Sequence, residues 1–241
     1  GGSGILVANG ANGSDVSVAV ADITGWDGII VQNFGTGATV VTSTGNIVGT
    51  DGNFGLFATN AASATDLTVN VATVSHRRLQ AIVVANEGSG ATRITATGNV
   101  ISGGGAGISA RNGTTATDLR IDAVDVTGVV TGIFASNQGT GGTRVAATGR
   151  VTATAGTGIL AVHLGGAAGL TVNAAGVSGG TNGIDARNTG GGATRVTAGG
   201  EVRGGTGFGL SVSTGGSATD IAINVVDIAG GGLFGISSFN G

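Results

Sequence analysis

The chain contains no cysteine, proline, methionine, tyrosine or lysine. Without cysteine there is neither a disulfide scaffold nor a thiolate metal site. Without proline, the 52 glycines in 241 residues do not describe collagen, which needs both residues in a strict triplet. Charge is scarce, at 10% of residues, and the net charge of −3 argues against nucleic acid or an anionic membrane surface as the main partner. Long apolar runs are missing too. The longest, residues 81–85, is far too short to cross a bilayer as a helix. No basic-then-apolar leader opens the chain, so an export signal is expected to have been removed or to lie outside these residues. Glycine-rich linkers are poor in apolar residues, whereas 40% of this chain is hydrophobic and its mean hydropathy is +0.38.

What is present is a repeat. The motif Gly-Ile-x-Ala-x-Asn, as in residues 107–112, starts at Gly4, Gly28, Gly55, Ala81, Gly107, Gly132, Gly158, Gly183, Gly209 and Gly235. The spacing stays between 24 and 27 residues, and the next residue is always Ile or Leu. Two further blocks recur in each unit. One resembles residues 91–98, and the other centres on a branched residue such as Val74, Val100 or Val126. Each block alternates apolar and polar residues, the period of a strand with one buried face. In residues 66–71, Leu67, Val69 and Val71 face one way, and Asp66, Thr68 and Asn70 face the other. A helix would need spacings of three and four, and each glycine would cost it about 1 kcal/mol.

Three short strands per unit with glycine-rich corners predict an all-β fold, a right-handed parallel β-helix of nine to ten coils of 25–26 residues. Nine coils at about 4.8 Å each give a rod of roughly 43 Å. The chain reads as one solenoid domain, 1–241. A second-order period of 51–52 residues divides it into two-coil units near 4–54, 55–106, 107–157, 158–208 and 209–241. The Ile/Leu and Val/Ile columns are expected to line the inside, with Ala110 and its equivalents keeping the bore narrow. Each buried side chain contributes about 1.5–3 kcal/mol.

The polar columns have structural and functional readings. Asn9, Asn33, Asn60, Asn86, Asn112, Asn137, Asn188 and Asn240 recur at one position, with His163 and Thr214 standing in for the missing two. Asparagine tolerates left-handed backbone, bonds its own turn, and can stack amide on amide along the axis. A structural ladder is expected, rather than a polar binding stripe, and His163 has no carboxylate or nucleophile placed beside it by the pattern. Before the second strand, Asp15, Asp66, Asp118 and Asp220 alternate by coil with Arg93, Arg144 and Arg195, which predicts outward ion pairs that fix register. The spacing from this column to the next apolar anchor is eight residues in odd coils and seven in even coils. Leu6, Ile30, Phe57, Val83, Phe134 and Leu160 form an outward column that turns polar further along. This is a candidate contact face or an ordinary surface. Residues 75–78, Ser-His-Arg-Arg, replace a glycine turn and read as a solvated corner, and Trp26 reads as packed against the rod.

Some chemistry has no place in the pattern. The acids are spread by the repeat, and no long loop interrupts it, so neither a paired-carboxylate nor a calcium-dependent polysaccharide site emerges. The Gly-x-Gly strings lack a strand–helix context for phosphate. No catalytic residue, cofactor or metal is expected. A regular Thr-x-Thr ice-binding face is broken at Arg120/Asp122 and Ala146/Thr148.

The units Gly-Ile-x-Ala-x-Asn, Ala-Thr-Arg-Val-Thr-Ala-x-Gly and x-Val-x-Gly-Gly resemble the passenger repeats of bacterial autotransporters (type V secretion) over essentially the whole chain. The resemblance implies a rod displayed at the bacterial cell surface or released outside the cell. Its partner would be an outer-membrane β-barrel translocator in the same longer chain, together with a host or cell-surface ligand. Residues 1–241 themselves read as repeats throughout, with no appended functional domain expected within them. Both ends share one phase of the coil without a polar cap, so either a longer rod or end-to-end stacking of copies is expected. The functional expectation is a structural or adhesive rod without catalysis. The alternatives are a self-assembling filament or coat subunit and, behind it, a β-helix enzyme acting on polysaccharide.

Overall fold

A computed structural model describes residues 1–166, 168–232 and 234–241. The described residues hold strands and no helix. The first strand of each coil, from Ile5–Asn9 to Ile236–Asn240, joins a ten-stranded sheet. The remaining strands build a second parallel sheet of twelve. Every repeat aligns with its copy one coil on, as Ile108 with Ile82 and Ile133, and Val100 with Val74 and Val126. The chain is therefore a parallel β-solenoid of nine coils, with Ile236–Asn240 opening a tenth.

Among the described residues, three separate strands appear only in the first, fourth and fifth coils. Elsewhere the second and third merge, as in Thr39–Gly49, Leu67–His76 and Thr143–Ala153. The merged strands bend at irregularities such as Ser43/Asn46 and Ala147/Arg150. There the even coil carries one residue more than its odd neighbours, a β-bulge. From the buried position opening the second strand to the next anchor is seven residues in odd coils (Leu67 to Val74) and eight in even coils (Thr92 to Val100). Counting from Asp66 and from Arg93 gives the opposite order because those two residues stand two positions apart in phase.

The two apolar columns are buried through the body of the rod: Ile29, Leu56, Ile82, Ile108, Ile133, Ile159 and Ile184 in one, and Ile47, Val74, Val100, Val126, Val151 and Val202 in the other. Ala58, Ala110, Ala135, Ala161 and Ala186 pack between them. The repeat glycine precedes the Ile/Leu column where space is tight, and of the ten positions Ala81 alone carries a side chain, a fully buried methyl. A Cβ on Gly107 would lie 2.5 Å from Val126 Cγ1 and 2.8 Å from the Gly132 carbonyl. Left-handed backbone explains little of the glycine content, since among the described residues only Gly166 and Gly192 have positive φ. Most glycines here buy space rather than dihedral freedom.

Candidate functional site

The asparagine column stacks in register, Asn9 on Asn33 on Asn60 on Asn86 on Asn112 on Asn137. His163 continues it between Asn137 and Asn188. Thr214 and Asn240 complete it. Among the described residues no asparagine adopts positive φ, so the left-handed role expected of this column is not the one it has. Amide-to-amide bonding occurs at one step, where Asn9 Nδ2 donates to Asn33 Oδ1 at 2.9 Å. Elsewhere the amides close their own corners, in two ways that alternate by coil.

In the second, fourth and sixth coils the oxygen accepts from the backbone N–H two residues on: Gly35 to Asn33, Gly88 to Asn86 and Gly139 to Asn137, at 2.9–3.0 Å; further along, Asn188 Oδ1 is buried without a partner and Asn240 accepts from the Thr214 hydroxyl at 2.6 Å. In odd coils it accepts from a threonine hydroxyl of the preceding coil: Thr39 to Asn60 and Thr92 to Asn112, both at 2.6 Å. Thr143 Oγ1 meets His163 Nδ1 at 3.0 Å in the same arrangement. The amide nitrogens donate to corner carbonyls, as Asn112 Nδ2 to Thr117 and Asp118. The threonines stand in a buried column that alternates with leucine: Thr39, Leu67, Thr92, Leu119, Thr143, Leu170, Thr194. A buried hydroxyl requires an acceptor, and for Thr39, Thr92 and Thr143 the next coil's Asn or His supplies it, whereas the Thr194 hydroxyl receives Asn188 Nδ2 of its own coil at 3.0 Å. The sequence already carried this signal, because Ala-Thr-Arg-Val and Asp-Leu-Thr-Val place Thr and Leu at the same phase.

The Asp/Arg column resolves differently from its expectation. Leu67 aligns with Thr92 and Thr68 with Arg93, so Asp66 and Arg93 lie two positions apart in phase. Asp66 instead accepts from the Ala91 backbone N–H at 2.7 Å. Asp15 does the same with Ala38, and Asp118 with Gly142. Asp22, Asp125 and Asp27 repeat the device at the other corners, holding the N–H groups of Asn46, Arg150 and Asn53. A Cβ on Gly90 would lie 2.3 Å from Asp66 Oδ1, which explains the glycine before each such N–H. These carboxylates cap the next coil's backbone rather than pairing with arginine, because a corner N–H facing outward needs an acceptor. Among the described residues the ion pairs are Arg78–Asp51, Arg120–Asp122, Arg144–Asp122 and Arg187–Asp185.

The candidate contact face also stacks in register, Leu6 on Ile30 on Phe57 on Val83, then Ser109, Phe134 and Leu160. Leu6 is well exposed, and Ile30, Phe57, Val83, Phe134 and Leu160 are half-buried. Phe57 stacks on Phe54 with centroids 4.7 Å apart, and the Arg111 guanidinium lies 4.9 Å from the Phe134 centroid. Ser109 separates the two apolar stretches. Beyond Leu160 comes Asp185, chelated by Arg187 at 2.6 and 3.0 Å.

The corner at 75–78 is only partly solvated. Arg77 and Arg78 are exposed, but His76 is buried, its Nδ1 accepting from the Leu79 and Arg78 N–H groups. Burial pushes His76 below the ordinary histidine pKa, opposed by Asp27 and Asp51. Burial pushes His163 down as well. Each ring leaves Nε2 buried without a partner. Trp26 is partly exposed, and its carbonyl receives the Gly52 N–H at 2.7 Å. Among the described residues no three His, Cys, Asp or Glu side chains converge as metal ligands. Neither a family model, a curated protein nor a solved structure matches this chain.

Proposed function

We propose that this chain is a structural and adhesive rod, part of the passenger of a surface-displayed bacterial autotransporter, and that it performs no catalysis itself. The observation that carries this reading is where the polar side chains go. Asp15, Asp22, Asp27, Asp66, Asp118, Asp125 and the Thr–Asn pairs are spent on tying one coil to the next. Uniform coils stacked without long inserted loops suit a spacer. The repeat resemblance adds the export route: an outer-membrane β-barrel translocator in the same longer chain, with the rod outside the cell facing a host or cell-surface ligand.

The test is the intact mass of the native polypeptide and its sensitivity to protease added to whole cells. A mass well above that of 241 residues, a barrel in the same chain and cleavage from outside are expected. A native product of this size alone, or one protected inside the cell, overturns the reading. The half-exposed column Leu6, Ile30, Phe57 and Val83 favours a second reading, a subunit that associates with its own copies. Sedimentation of Phe57→Ser beside the parent decides it, since only a self-associating rod loses mass in the variant.

A further inference from the structure

Four of the ten arginines stand in one outward column of the twelve-stranded sheet. Arg93 aligns with Arg120, Arg120 with Arg144, Arg144 with Thr171, and Thr171 with Arg195. Three guanidinium groups thus sit on consecutive coils at steps of about 4.8 Å. Like charges directly opposite on neighbouring strands destabilise a sheet, and little here offsets them. Asp122 chelates Arg120 through both oxygens and reaches Arg144 at 4.0 Å. Asp118, the other nearby acid, has one oxygen on the Gly142 N–H. Among the described residues Arg93 and Arg195 have no carboxylate within ion-pair distance, and both are exposed. Arg144 is held in place: the Asn173 amide, oriented with its oxygen toward the guanidinium, accepts from Nη1 at 3.0 Å. Its Nε is buried without a hydrogen-bond partner. Arg93, Arg120 and Arg144 line one shallow cleft with Asp118, Thr143 and Thr171.

We propose that this column is a binding strip for an anionic polysaccharide, a chain bearing carboxylate or sulfate groups that lies along the rod axis across the coils. The strip is one side chain wide, preceded in its own column by Thr68 and flanked by hydroxyl and amide groups at Thr95, Asn173 and Thr197, which suit sugar hydroxyls. Nucleic acid fits less well. This column and its flanks carry no aromatic ring on which a base could stack, and the chain as a whole is acidic. The inference is independent of the export route, because the strip would bind however the rod is secreted.

The probes are polygalacturonate for carboxylate and dextran sulfate for sulfate, with neutral dextran and single-stranded DNA as comparators, measured by affinity electrophoresis at low and high salt. Binding of at least one anionic glycan, weakening as salt rises, is expected, and whichever polymer binds assigns the anionic group. Arg93→Gln with Arg144→Gln should weaken it about tenfold or more. Asp122→Asn, which frees Arg120, should strengthen it, and this gain keeps the test meaningful if the double variant folds poorly. Arg78→Gln, at a distant corner, should change nothing. Four results each overturn the proposal: no binding of either glycan, no response to the arginine and Asp122 variants, an equal loss in Arg78→Gln, or tighter binding of the DNA.

Discussion

Two kinds of junction alternate along this rod. Where an odd coil meets the following even one, a carboxylate at the exposed corner takes the next coil's backbone N–H, as Asp66 takes Ala91 and Asp118 takes Gly142. Where an even coil meets the following odd one, a threonine hydroxyl inside the bore meets an asparagine, as Thr92 meets Asn112. The first junction is sealed in contact with water and the second away from it. A broken bond at the surface is partly replaced by solvent, whereas a broken bond in the bore leaves an orphan. Loss of one such bond therefore affects the two junctions unequally.

The largest effect comes from the core that both junctions share. Ile108→Asp or Val100→Asp should cost several kcal/mol, because each position is fully buried and an unpaired carboxylate would enter it. Thermal melting reads this, and a variant that melts like the parent would show that these columns do not carry the fold. At the inner junction, Asn112→Ala should cost about 1–3 kcal/mol by stranding the Thr92 hydroxyl and the corner carbonyls. Adding Thr92→Val should cost less than the sum of the two, and strict additivity in denaturant titration would mean that the pair is not coupled. At the outer junction, Asp66→Ala should cost less, about 0.5–1.5 kcal/mol, and if it equals Asn112→Ala the contrast between junctions fails.

The smallest effect at neutral pH comes from His163, which replaces asparagine at one inner junction. Its folded pKa is pushed below the unfolded value of about 6.5 by burial, as is that of His76. Below pH about 6.5 the unfolded chain therefore binds protons that the folded chain refuses. These two histidines cost nothing above that pH, and stability falls as pH drops beneath it. His163→Asn restores the Thr–Asn pairing and should remove part of that fall. Melting curves across mildly acidic pH would show an unchanged slope in the variant if the imidazole is not responsible.

Much of this was legible in the residues. The spacing of Gly107, Gly132 and Gly158, each followed by Ile, could only mean stacked coils, because register repeats what sequence repeats. The inward direction of Leu67, Val69 and Val71 followed from their alternation. The error lay one step away. Asp66 and Arg93 looked like one column because each precedes or opens the second strand, yet aligning on charge ignored the buried Leu67/Thr92 column between them. Aligning on burial would have exposed both the arginine stack and the place of the bulge, since water-facing residues set phase only weakly.

What the sequence determined by itself was the period, the inward columns and therefore the solenoid. Burial of apolar side chains depends on which residues recur, and recurrence is visible in one dimension. What only the tertiary structure decided was the partner of each polar group. Whether Asp66 meets a guanidinium or an N–H, and whether Asn112 meets another amide or a threonine, depends on offsets of a few ångströms between neighbouring coils. Hydrogen bonds are short and directional, so a shift of one or two positions, too small to disturb a greasy column, changes every partner along the rod.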